Sequence, residues 1–197
     1  MGHGKYIDPF RGMPPTHTVG AGEKLVLEYV ILPGESREVT LRIDLAGEGA
    51  EAEIRGLYLS GTDEKVRFDI VLQHRAPGCH SRQLFKGVAA GNADVRFEGK
   101  IVVAPGADGT EAFQESHNIL LGETAQVETS PQLEIYADDV KCSHGATVGR
   151  LNEDELFYMR SRGIPEQEAK ALQILSFLSP VIPGASSDIE NAVRSLL

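Results

Sequence analysis

Along most of the chain apolar and polar residues alternate with a period of two. Lys24-Leu25-Val26-Leu27-Glu28-Tyr29-Val30 opens the series, and Val39, Leu41, Ile43 and Leu45 follow with Thr40, Arg42 and Asp44 between them. Such alternation predicts half-buried β-strands. The pattern recurs around Ala52-Ile54, Val66-Phe68-Ile70, Leu84-Lys86-Val88, Val95-Phe97, Ile101-Val103 and Ile119-Leu121, with Gly-rich or polar turns between. Leu133, Ile135 and Val140 continue it. Many short, evenly spaced strands suit a sandwich, a barrel or a β-solenoid, and periodicity alone leaves all three open.

The period changes at Asn152. Leu151, Leu156, Tyr158 and Met159 are spaced for a helix, Asn152 with Glu155 forms a start like a capping box, and Gly163 is placed as a C-terminal cap. Pro165 opens a second helix, with Glu166 and Glu168 in its first turn and Ala169, Leu172, Leu175 and Phe177 as its apolar side. After a break at Pro180 to Gly184, Ser187 and Glu190 form another capping box ahead of the stripe Ile189, Val193, Leu196 and Leu197. The expected organisation is a flexible leader over 1–22, in which His3 and His17 are solvated, a β core over 23–150 and a helical region over 151–197.

Composition narrows the function classes. The 197 residues are 41% hydrophobic and 24% charged, enough for a real core. A net charge of -10 without any Lys/Arg cluster argues against nucleic acid. No apolar run approaches the roughly 18 residues of a membrane span, and the start MGHGKYIDPFRG lacks a signal peptide's apolar segment, so a cytoplasmic location is expected. Phosphate loops, dinucleotide fingerprints and nucleophile elbows are absent. The two cysteines, Cys79 and Cys142, lie far apart without a CxxC, which disfavours a disulfide. Two thiols also fall short of the four that a self-contained iron–sulphur site usually takes, so any cluster would have to be shared.

The densest run of soft and nitrogen ligands is Lys141-Cys142-Ser143-His144-Gly145. A thiol and an imidazole two residues apart on a strand face the same side, which makes half of a metal site. Against this, a lone strand histidine is more often structural, and a free cysteine is as often a small buried hydrophobe. Cys79 and His80 read as turn fillers, His117 as a surface histidine, and Asp138 and Asp139 as turn residues on opposite faces.

The run ADDVKCSHGATVGRLNEDELFYMRSRGI, with PQLEIY before it and HRAPGCHSRQLFKGV further upstream, resembles the core of the SufB/SufD family. Those proteins are the scaffold subunits of the SUF iron–sulphur cluster assembly machinery. The likeness runs from about Leu57 to about Leu178 and is closer to the SufD branch, because SufB members tend to carry a Glu-His-Glu run where this chain has Ser143-His144-Gly145. The chain is shorter than typical members. The resemblance implies a right-handed parallel β-helix whose open ends invite partners, and a scaffold rather than an enzyme.

It also implies roles for particular residues. His144 matches a histidine at the SufB–SufD interface implicated in cluster assembly, and Cys142 would add a thiolate. Ser116 falls where SufB-type members carry a cysteine thought to receive sulphur, and a serine hydroxyl cannot carry a persulfide. The cluster would be transient and shared with a SufB-like subunit or with a second copy of the chain in a homodimer. The helical region would dock a SufC-type ABC ATPase through Leu156, Phe157, Met159, Leu172, Leu175 and Phe177. Three functions follow in order of preference: such a scaffold subunit; a structural or regulatory partner without its own cluster ligands; and a cupin-like metalloenzyme using His74, His80, His117 and His144.

Overall fold

Ten-residue strands separated by tight turns generate the architecture. A computed structural model describes the backbone of residues 2–7 and the whole of 15–182, 184 and 187–197. The strands are β1 (Gly2–Ile7), β2 (Thr16–Val19), β3 (Lys24–Ile31), β4 (Arg37–Leu45), β5 (Glu51–Ser60) and β6 (Lys65–His74), then β7 (His80–Ala89), β8 (Asp94–Val103), β9 (Thr110–Leu120), β10 (Gln126–Ile135) and β11 (Val140–Gly149). From β2 onward successive strands go to different sheets. One sheet has the order β1-β3-β5-β7-β9-β11 and the other β10-β8-β6-β4-β2. Every pairing is parallel, as in β5 with β7 and β6 with β8. The chain therefore coils into a parallel β-solenoid with two sheets facing each other across one core.

Glycine makes the coils stack. Gly22, Gly49, Gly78 and Gly109 occupy equivalent corners with φ of 63°, 65°, 65° and 73°. Each donates its N–H to the next coil: Gly22 to Glu48 O at 2.9 Å, Gly49 to Pro77 O at 3.0 Å, Gly78 to Asp108 O at 2.8 Å and Gly109 to Asp139 O at 2.7 Å. This left-handed backbone is strained for any residue with a Cβ.

Inside, register sets size against size. Tyr29, Gly56, Phe85 and Ser116 form one row across β3, β5, β7 and β9. A Cβ on Gly56 would lie 2.2 Å from the Phe85 ring. Phe68 gathers the aromatic core, with ring centroids of Tyr58, Phe85 and Phe97 at 5.6, 5.5 and 5.9 Å.

Three helices follow, α1 (Glu153–Ser161), α2 (Glu166–Leu178) and α3 (Ser187–Ser195); α2 and α3 pack on the outer face of the first sheet and α1 packs on α2. Val30, Leu57, Leu59, Val88 and Ile119 pack there in one cluster with Ala171, Ile174, Leu178, Ile189 and Val193. Leu84 and Val88 thus point outward to the helices, and the inward residues of β7 are Ser81, Gln83, Phe85, Gly87 and Ala89. The apolar side of α2 also differs from expectation. Ala169, Ala171, Ile174 and Leu178 are buried, whereas Leu172 is exposed. Small alanines let the helix approach the sheet, and that close contact selects the face.

Other expectations shift. The two segments Val95-Phe97 and Ile101-Val103 are one strand, β8, running through Gly99. Thr16–Val19, inside the stretch expected to be a leader, form β2 against β4, and His17 is half-buried there. The Gly2–Ile7 backbone pairs with β3, and residues 1 and 8–14 of that leader lie outside the described residues. Asn152 caps α1 by accepting from Asp154 N and Glu155 N at 3.0 and 3.2 Å. The return arm of the box comes from α2 instead, since Gln173 Oε1 accepts from Asn152 N at 3.2 Å. Gly163, at φ 88°, closes the helix with Ile164 N bonded to Met159 O at 3.2 Å.

The last coil carries no further strand among the described residues, so β10 and β11 each end a sheet. Pro131 lies in the middle of β10, opposite Gly99 of β8. A residue without an N–H is accepted at such an edge, where the missing donor would face away from the neighbouring strand.

Candidate functional site

Cys142 and His144 lie on β11, which pairs with β9 in a register that sets Cys142 beside Ala112, His144 beside Gln114 and Ala146 beside Ser116. Ala112, Gln114 and Ser116 are inward residues, 0–2% exposed. Cys142 and His144 therefore sit on the inward row of the last coil, beyond which no further strand is stacked among the described residues. Cys142 is half-buried against the Ile101, Val103, Ala107 and Ala112 cluster, and His144 is exposed. Burial pushes the Cys142 thiol above its ordinary value, with a backbone hydrogen bond at Ala112 opposing in part, so it stays protonated at neutral pH. The two side chains share a face, as their spacing requires.

Ser116 is locked in the interior. Asn118 Nδ2 donates to its Oγ at 3.3 Å and to Thr147 O at 3.2 Å, while Tyr58 donates its hydroxyl to Asn118 Oδ1 at 2.6 Å. Beside it, Gln114 Nε2 donates to Gln83 Oε1 at 3.2 Å. The sequence reading missed these two glutamines. Their signal was present as polar residues at inward positions of otherwise apolar alternation.

The four histidines of the metalloenzyme reading do not converge. His74 is fully buried at the end of β6, its Nε2 2.9 Å from Ser81 Oγ. Burial first, and His80 second, bring its pKa down to about 4. His80 faces outward, 3.7 Å from Glu111. His117 also faces outward, held by Glu115 at 3.1 Å and Thr147 at 2.9 Å. His144 is on the inward row. Among the described residues no group of three His, Cys, Asp or Glu could hold a metal ion, so the cupin-like reading is set aside. Both cysteines are free. Cys79 is a buried corner residue whose thiol donates to Gly47 O at 3.3 Å.

A second feature lies over the helices. A groove of about 670 Å³ between α1 and α2 is lined by Leu151, Tyr158, Met159, Leu172 and Phe177 among others. Tyr158, one of its lining residues, is 60% exposed, and Phe157 beside it in α1 is 74% exposed. Leu156, by contrast, is 4% exposed and packs into the interior. Leu175 and Phe177 are half-buried in the contact between helices and sheet.

The model of the SUF system FeS cluster assembly, SufBD core domain, matches residues 19–177 and so takes in both β11 and the α1–α2 groove. The chain belongs to the SufBD family. It is 44% identical over 133 residues to the iron-sulfur cluster assembly protein SufD of Escherichia coli, covering 68% of this chain and 31% of that protein. An iron-sulfur cluster assembly SufBD family protein of Mycobacterium leprae is 31% identical over 176 residues, covering 84% of this chain and 45% of that one. A SufBD family protein of Synechocystis is 41% identical over 113 residues, 57% of this chain and 24% of its own length. The chain thus spans less than half the length of these relatives. No helix of the described residues is long and apolar enough to cross a membrane.

Proposed function

We propose that this SufBD protein is a scaffold subunit of a SUF-type assembly complex, without turnover catalysis of its own, working in the cytoplasm. Its uncovered β10–β11 coil pairs with a like subunit, either a SufB-like chain or a second copy. Cys142 and His144 face the shared surface and hold part of a nascent iron–sulphur cluster, the cargo of the complex, and the partner supplies the remaining ligands. A SufC-type ABC ATPase docks at the α1–α2 groove through Phe157, Met159, Leu172 and Phe177. The observation that carries this reading is the shared inward row of Cys142 and His144 on a strand with a free edge.

A second reading has its own support. The buried, hydrogen-bonded Ser116, where a sulphur-carrying cysteine would be needed, favours a partner subunit that supplies His144 alone, or only the surface, while the other chain owns the sulphur ligands. Anaerobic reconstitution with ferrous iron and sulphide separates the two. Native chain, His144→Ala and Cys142→Ala are compared by visible absorption while oligomer mass is followed. The scaffold reading expects charge-transfer bands on the native dimer that are lost in His144→Ala. A folded, dimeric native chain without bands replaces it with the partner-subunit reading.

A further inference from the structure

Two buried polar atoms in the last coils have no hydrogen-bond partner, Gln83 Nε2 and Gln114 Oε1. They are the two ends of one short amide chain, because Gln114 Nε2 donates to Gln83 Oε1 at 3.2 Å. Gln83 on β7 and Gln114 on β9 are neighbours in register, and His144 on β11 is the next residue of the same row. Gly99 on the opposite sheet gives the amide its room: a Cβ there would lie 2.2 Å from Gln114 Nε2.

The bond to Gln83 commits the Gln114 nitrogen to the β7 side. The oxygen remains unpaired, and Gln114 is only 1% exposed, so water does not readily satisfy it. A buried carbonyl left unpaired is costly and uncommon. The exposed His144 side chain is adjacent, since neighbouring strands lie about 4.8 Å apart, and a neutral imidazole has one N–H to give.

We infer that Gln114 is a positioning residue for His144: its side-chain carbonyl, unpaired in this structure, receives the N–H of one ring nitrogen when the exposed ring turns toward it, and so leaves the other nitrogen's lone pair for the open end of the solenoid. Histidines that bind metals commonly carry such an acceptor on the far nitrogen, which sets both tautomer and ring orientation. The inference rests on the reading of His144 as a cluster ligand, and it deepens that reading by naming what aims the ligand.

The test uses the full chain without metal, labelled with ¹⁵N at histidine and held at pH 8. Long-range ¹H–¹⁵N correlation reads the His144 tautomer, assigned by its loss in His144→Gln. A single tautomer is expected in the native chain, a mixture in Gln114→Leu, and recovery in Gln114→Glu, which keeps an oxygen at that place. Cobalt(II) alone, a probe for ferrous iron, should bind Gln114→Leu roughly 10-fold more weakly than native. A native His144 with the tautomer mixture of free imidazole overturns the inference without recourse to any variant, as does a Gln114→Leu chain with the native tautomer. The tautomer is read without a cluster, so this failure is distinct from a failed reconstitution, which would remove the ligand role and leave the Gln114–His144 pair standing.

Discussion

The hydroxyl of Tyr58 reaches Asn118 across a whole intervening strand, at 2.6 Å. Tyr58 is on β5 and Asn118 on β9, and Gly87 of β7 occupies the row between them. The ring lies over Gly87, where a Cβ would come within 1.9 Å of it. Burial pushes the Tyr58 hydroxyl well above its usual range, so it remains a donor at all working pH. One aromatic thus links three coils and fixes the amide that in turn holds Ser116.

Two substitutions check this. Tyr58→Phe removes the donor and leaves Asn118 Oδ1 buried, with an expected loss of about 1–3 kcal/mol. Gly87→Ala forces the ring aside and should cost at least as much, since overpacking in a closed interior runs to about 1–3 kcal/mol or more. Urea unfolding midpoints measure both. A Gly87→Ala chain as stable as native would show that Tyr58 does not rest on that backbone.

His74 makes stability fall with acid. Its pKa in the folded chain is about 4, below the unfolded value, so the unfolded chain binds the extra proton between the two. Stability is full above about pH 6.5 and is lost as pH falls toward 4. Between pH 7.5 and 5.0 this one group should remove about 2 kcal/mol. His74→Gln, which does not titrate, should flatten that part of the curve in urea titrations at the two pH values. An unchanged slope would assign the acid sensitivity elsewhere.

Lys86 ties the solenoid to the helices. Its Nζ donates to Phe177 O at 2.8 Å and sits 4.5 Å from the centre of the Phe177 ring. It meets the last turn of α2, where the helix dipole favours a cation. Lys86→Met keeps the stem and loses the charge, and should cost about 1–2 kcal/mol. Hydrogen exchange should quicken in α2 more than in β5 to β8. Uniform protection across both would refute a local clamp.

Position decides what the two leucines near the groove do. Leu156→Ala empties a buried site and should destabilise by about 2–5 kcal/mol. Leu172→Arg alters an exposed side chain and should change stability by no more than about 0.5 kcal/mol. It should nevertheless abolish pull-down of a SufC-type ATPase if the groove is the docking surface. A Leu172→Arg chain that still binds the ATPase would move the contact off this groove.

The strands were legible because alternation is local. Lys24 to Val30 and Val39 to Leu45 announce β3 and β4 with no tertiary knowledge. The caps at Asn152 and Gly163 were legible for the same reason. What escaped depends on distant partners. Gly99 breaks the apolar pattern of β8 because Gln114, from the other sheet, fills the space above it. Leu84 and Val88 look like core residues of their strand, but they face helices more than 80 residues away in the chain, and Leu172 gives up its place to alanines that let α2 approach. The coil length was written in the corner glycines, Gly22, Gly49, Gly78 and Gly109, which recur at about 29 residues, within the span of known solenoid repeats. At the candidate site, the shared face of Cys142 and His144 followed from spacing. The inward, uncovered row followed only from register against β9.

Pro131 bears on how far such chains can assemble. A solenoid that stops on two bare ten-residue strands resembles a growing fibril tip, ready to template copy after copy. With a proline at its centre, β10 presents a free edge that lacks one donor midway, so a strand added there loses a bond where a continuous ladder most needs it. Of the two strands of the last coil, β11 alone offers an uninterrupted edge. Strand-by-strand growth from this end is thereby resisted on one sheet and open on the other, which works against an endless filament.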